Sequence, residues 1–160
     1  MEGSRVTAAR VDDRLATDAW WQPWAALAGF ATLLHFAWEM AHMPLYRVAE
    51  PSGWRMVGGC TQATLGDAIM TLLAYATAAV LTRRRLWLVA PRALELTTFL
   101  GVGLAMTVAL EWWNVSVRHS WAYSADMPVT AGIGLSPIVQ WIVLPPLIIW
   151  LARRHLQGGR

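Results

Sequence analysis

His35, Glu39 and His42 stand at i, i+4 and i+7 in the stretch His35-Phe-Ala-Trp-Glu-Met-Ala-His42. On a helix of ~3.6 residues per turn they share one face. The surrounding run is apolar. An imidazole or carboxylate set in such a run faces a protein interior or a water-filled cavity, because hydrocarbon solvates neither. Two chemistries suit the trio. Glu39-Met-Ala-His42 has the Glu-x-x-His form of carboxylate-bridged metal bundles, and His35 adds a third candidate ligand. Imidazole with carboxylate suits a transition metal: iron, zinc, manganese or copper. A di-metal bundle uses two Glu-x-x-His units, however, and the chain has one. Alternatively, neighbouring Asp, Glu and His groups inside a bundle pass protons.

Two further acids, Asp67 and Glu111, lie in later apolar segments. With Glu39 they are the candidate catalytic acid/base residues, and His35, Glu39 and His42 are the candidate metal ligands. Trp38 adjoins Glu39, and Trp112 and Trp113 adjoin Glu111, where their rings would wall off a pocket. Ser136 has no GxSxG context and no base on its own helix, which argues against serine hydrolysis. Asn114-Val-Ser116 matches a glycosylation pattern but falls within an apolar segment, so it is read as coincidence. Cys60 is the sole cysteine, which excludes an intrachain disulfide and any CxxC motif.

The elements that must position these residues follow from hydropathy. The chain has 160 residues, 56% of them hydrophobic, and 11 are Trp. That composition is too apolar for an ordinary soluble domain. Apolar runs predict spans at about 21–43, 61–82, 97–117 and 131–152, each near the ~20 residues that cross the hydrocarbon core. The fold expected is all-α: an integral membrane, up-down bundle of four transmembrane helices. Residues 1–19 read as a cytoplasmic polar tail with no cleavable signal peptide, 20–155 as the bundle, and 156–160 as a cytoplasmic C-terminal tail. Trp20, Trp21 and Trp24 mark an interfacial belt. Leu45–Cys60, with Pro51 and Gly58-Gly59, reads as a loop, and Leu86–Val89 as a segment dipping into the interface. Gly101 and Gly103 offer close helix packing. Pro145-Pro146 predicts a kink.

All 13 basic residues are arginine. Ten of them (Arg5, Arg10, Arg14, Arg83, Arg84, Arg85, Arg92, Arg153, Arg154 and Arg160) fall in the N-tail, the second-to-third connection and the C-tail. The positive-inside rule then places both termini in the cytoplasm of a multi-pass inner (plasma) membrane protein. The same distribution explains the high pI without nucleic acid, for which no aromatic-and-basic surface pattern exists. With this topology Glu39, Asp67, Glu111 and Gln140 sit roughly 6–14 Å below the outer helix ends, so all four helices supply polar groups to one layer in the outer leaflet.

Residues 111–147 also carry Glu111 and Asn114, then Trp121-Ala-Tyr123, Gly132-Ile-Gly134, Pro137 and Pro145-Pro146-Leu147. This pattern distantly resembles the membrane lycopene-cyclase-type domain. The resemblance implies a lipid-like or isoprenoid substrate. It departs at Ile138, Val139 and Gln140, where that family places acidic residues after its central proline.

Three readings of function follow. The polar site binds a metal or supplies an acid/base, and acts on a membrane-soluble substrate. Or the chain is a non-enzymatic membrane subunit whose polar layer sets helix packing or mates with a partner protein. Or it is a proton-linked transporter, which for four short helices implies a homo-oligomer. The lipid bilayer is the expected partner in every case.

Overall fold

The computed structural model describes residues 20–47 and 53–158. The polar tail 1–19, Glu50 and Pro51 of the first loop, and the chain end 159–160 lie outside the described residues. Among the described residues there are four α-helices: α1 Gln22–His42, α2 Gly53–Thr82, α3 Ala93–Trp112 and α4 Leu135–Gly158. A 3-10 turn, Met43–Leu45, follows α1, and a π-helical turn, Trp113–Val117, extends α3. The fold is therefore mostly helical. Three helices are long and apolar enough to cross a membrane: Gly53–Thr82, Ala93–Val117 and Leu135–Gly158. α1 carries His35, Glu39 and His42 and is outside that set.

Each helix packs on two others in the ring α1–α2–α3–α4. Contacts fix their directions. Trp24 at the start of α1 meets Tyr75 late in α2, while Met43 after α1 meets Cys60 early in α2. Phe30 of α1 meets His155 near the end of α4, and His42 meets Ser136 at its start. Tyr46, just past α1, reaches Glu111 near the end of α3. Directions thus alternate around the ring.

Close contact between small residues and hydrogen bonds join the helices. Ala31, Ala74 and Ala78 are fully buried, small enough to let backbones approach. On α3, Gly103 receives the indole of Trp141. One half of the bundle is an aromatic core. Trp24 meets Tyr75 edge-on at 4.8 Å, Tyr75 stacks on Trp87 at 5.0 Å, and Trp87 lies 5.7 Å from Phe99. Trp87 Nε1 donates to Tyr75 O at 3.2 Å, and Tyr75 Oη donates to Arg85 O at 2.8 Å.

Four sequence expectations are corrected here. The Leu86–Val89 segment does not dip outward: Trp87 and Leu88 are fully buried in the protein core, since Trp87 finds a hydrogen-bond acceptor there. The loop between α1 and α2 is shorter than Leu45–Cys60. Gly58 and Gly59 are helical, because an unbroken ladder satisfies every backbone group whereas a turn leaves some bare. α3 starts at Ala93, four residues earlier than expected. Glu95 Oε2 accepts the Arg92 N–H at 2.8 Å, and Arg84 Nη1 donates to Glu95 Oε1 at 2.6 Å. That capping box, tied to the arginine cluster, sets the helix start. Finally, α4 starts at Leu135 rather than near 131. Val129–Thr130 (β1) and Ile133–Gly134 (β2) pair in a two-residue hairpin closed by Ala131 and Gly132, with φ 51° and 80°. Two consecutive left-handed residues form the tight turn whose twist suits paired strands.

Candidate functional site

The helix face carrying His35, Glu39 and His42 meets α2 and α4, and one amide joins them. Gln140 Nε2 lies 2.8 Å from His35 Nδ1, 2.8 Å from Asp67 Oδ2 and 3.3 Å from Glu39 Oε1. Gln140 is 2% exposed and His35 fully buried. An amide nitrogen has two hydrogens. One goes to His35 Nδ1, and the other is shared between Asp67 Oδ2 and, at longer range, Glu39 Oε1.

The tautomer of His35 follows from Thr71. Its hydroxyl donates to Asp67 O at 2.9 Å, so toward His35 Nε2, 3.3 Å away, it accepts. Nε2 therefore carries the hydrogen and Nδ1 accepts from Gln140. The 3.5 Å approach of His35 Nδ1 to Asp67 Oδ2 is a contact bridged by the same amide rather than a direct hydrogen bond.

His42 is set from the other side. The Trp38 indole, which only donates, points Nε1 at His42 Nδ1 at 3.2 Å. Ser136 Oγ lies 2.8 Å from that same Nδ1. The ring hydrogen is then on Nε2, which donates to Glu39 Oε2 at 3.1 Å. Glu39 and Asp67 are mostly buried, with side chains 13% and 18% exposed. A continuous string of hydrogen bonds runs Thr71–His35–Gln140–Glu39–His42–Ser136, with Asp67 bound at its middle. Three helices hold it, and Ser136 sits at the first turn of α4, one turn before Gln140 on the same face.

Glu111 is not part of this string. It is 7% exposed, and three donors from outside α3 hold it: Tyr46 Oη at 2.9 Å, Tyr123 Oη at 2.9 Å and Trp121 Nε1 at 3.1 Å. A short bridge between Tyr46 and Tyr123 brings the two loops together, reinforced by Arg47 N to Ala122 O and Ser124 N to Leu45 O. The expectation of one layer fed by all four helices is therefore corrected to two neighbouring centres. Tyr46 connects them, its ring edge-on to His42 at 5.3 Å. Burial holds the Tyr46 hydroxyl well above the usual phenol range, and Glu111 beside it adds to the effect. Tyr123 is pushed up to about 12, first by burial and further by Glu111. Trp112 and Trp113 do not wall this centre: they are 51% and 47% exposed.

The metal reading of His35, Glu39 and His42 finds no support in the geometry. Among the described residues no group of three or more His, Cys, Asp or Glu is arranged to hold a metal ion. The reason is visible in the ring nitrogens. Both nitrogens of each imidazole are engaged by side chains on different sides, so no set of lone pairs converges on one point.

Spacing found the trio on α1 and the acids, but it missed Thr71, Ser136, Tyr46, Trp121 and Tyr123. Gln140 was legible only as a member of a layer, not as its hub. A polar residue inside an apolar run was the available signal for Thr71, Ser136 and Gln140. A groove lined by Phe30, Leu151, Arg154 and His155 opens at the opposite end of the bundle and touches none of these residues. Comparison of the chain with protein-family models, with characterised proteins and with solved structures finds no match.

Proposed function

We propose that the chain is an integral plasma-membrane protein of four membrane-crossing helices, both termini cytoplasmic. In this reading its buried His–Asp–Gln–Glu–His string is an acid–base centre acting on a membrane-soluble substrate. Three apolar helices of spanning length and the placement of the arginines support the membrane assignment. One observation carries the chemistry: Glu39 is held through one oxygen by His42 Nε2 and through the other by Gln140, which also binds His35 and Asp67. Each imidazole thus has one donating and one accepting nitrogen, His42 bonded to the Glu39 carboxylate directly and His35 joined to Glu39 and Asp67 through Gln140, the arrangement a proton needs in order to enter and leave.

The test is infrared difference spectroscopy of the protein in lipid nanodiscs across pH. Carboxyl bands that titrate in the parent, and are lost selectively in Glu39→Gln and Asp67→Asn, are expected. Bands that do not respond to pH in the parent would sink the reading.

A second reading belongs to Glu111. Its carboxylate accepts from three donors that tie both outer loops to α3. That is what a packing device, or the foundation of a partner-docking surface in a non-enzymatic subunit, requires. Here Glu111→Gln lowers stability and leaves the carboxyl bands of Glu39 and Asp67 in place.

A further inference from the structure

Ser136, His42 and Glu39 stand in the order of a hydrolytic triad. Ser136 Oγ is 2.8 Å from His42 Nδ1, and His42 Nε2 is 3.1 Å from Glu39 Oε2. Such a constellation is recognised by geometry and roles, not by sequence position. We propose that Ser136 is a nucleophile, His42 its general base and Glu39 the residue that positions the base, and that the substrate is an acyl ester or thioester of a membrane lipid. The inference rests on the acid–base reading above and names its reaction and substrate class.

Four observations support it. First, the tautomer is the productive one. Trp38 can only donate to Nδ1, so Nδ1 is the unprotonated nitrogen, its one lone pair shared between Trp38 and Ser136, and Nε2–H faces Glu39. Ser136 is the closer of the two partners of Nδ1, at 2.8 Å against 3.2 Å for Trp38. The imidazole is turned end for end relative to the usual triad, but electrons move through it in the same direction. Second, Gln140 approaches the other oxygen of Glu39 at 3.3 Å, which helps to hold the carboxylate toward His42. Third, Ser136 stands in the first turn of a 24-residue helix. First-turn amides lack intrahelical acceptors, and the helix dipole places partial positive charge there. Leu135 N donates to Pro128 O, and Pro137 has no N–H, which leaves the Ser136 N–H beside its own Oγ to stabilise an oxyanion. Fourth, Ser136 is half-buried at a helix end of the bundle, so a lipid can reach it sideways. Glycerolipid esters lie at that interfacial depth rather than in the hydrocarbon centre.

The balanced step is acyl transfer. The Ser136 Oγ–H proton passes to His42 Nδ1 as Oγ bonds to the carbonyl carbon, and the carbonyl pair becomes the oxyanion. Collapse re-forms the C=O and breaks the bond to the leaving alcohol or thiol, which takes the proton from His42. Water then repeats the sequence on the acyl-serine, releasing a carboxylic acid and restoring Ser136. No redox change occurs and water is the only co-reactant.

The experiment treats the full chain in nanodiscs with an alkyl fluorophosphonate and follows intact mass and peptide mapping. One adduct per chain on Ser136 is expected, with Oγ–P formed and fluoride released. Loss of His42 in His42→Phe slows labelling by roughly 10²–10⁴-fold. Glu39→Gln slows it and shifts its pH profile, which a merely structural role would not do. Hydrolysis of p-nitrophenyl decanoate follows the same order. Absence of an adduct on Ser136 in the parent overturns the proposal, and so does labelling that persists unchanged in His42→Phe. If the parent gives no adduct while its carboxyl bands still titrate, only the nucleophile is lost. If the bands are silent as well, the acid–base reading falls with it.

Discussion

Trp141 of α4 lies where a side chain on Gly103 of α3 would have to be: a Cβ built on Gly103 falls inside the indole ring. The same indole is 6.0 Å from the ring of His35. The α3–α4 contact and the position of His35 are therefore one packing problem.

Gly103→Ala must move Trp141 or α3, and overpacking of this kind costs about 1–3 kcal/mol. Gly101, two residues away, is exposed and has nothing within 4 Å of a built Cβ, so Gly101→Ala is expected to stay within about 0.5 kcal/mol of the parent. Unfolding in detergent measures both. Equal effects at the two glycines would show that Trp141 is not seated as described.

Gln140→Leu keeps the bulk of the side chain but removes the amide. His35 Nδ1 and Asp67 Oδ2 then lose their common donor. Each buried group left unpaired costs about 1–3 kcal/mol. A drop in stability of that size is expected, together with altered carboxyl infrared bands. A fully stable Gln140→Leu protein with unchanged bands would mean the amide is not the hub.

The Glu111 centre makes a pH prediction through Tyr123, whose hydroxyl sits at about 12 in the folded protein against an ordinary 10.0. In the window between those values the folded chain keeps a proton that the unfolded chain has lost. The stability this contributes is complete below pH ~10 and disappears as pH rises through ~12. Ultraviolet titration of tyrosinate should show Tyr123 ionising late, and Glu111→Gln should bring its onset earlier. An early onset in the parent would contradict the contact between the two side chains.

Orientation is open to direct measurement. Cys60 is buried, so Cys60→Ser clears the background with little exposed surface changed. In that background Arg85→Cys and Ser120→Cys introduce exposed thiols in the loops at opposite ends of the bundle. A membrane-impermeant maleimide added to intact cells is expected to label Ser120→Cys and spare Arg85→Cys. The reverse pattern would invert the proposed topology.

Some of this protein is written in local order along the chain. Apolar run lengths determined the helical elements to within several residues, because backbone hydrogen bonds close within a segment. The spacing of His35, Glu39 and His42 determined that they share a face, since 3.6-residue periodicity is a property of one helix alone. Neither could determine what that face would meet. Whether Gln140 or an apolar neighbour lies opposite Glu39 depends on the rotation and depth of α4 against α1, which side-chain packing across the whole ring sets. The same applies to Ser136. On its own helix it has no base, and only the antiparallel crossing of α1 and α4 brings His42 to 2.8 Å. Glu111 looked like a member of the same layer because depth was legible and direction was not. The fold of the two loops after α1 and α3, through Tyr46, Trp121 and Tyr123, decided that it belongs to a separate centre. Hydrogen bonds demand placement to a fraction of an ångström, and only tertiary structure supplies it.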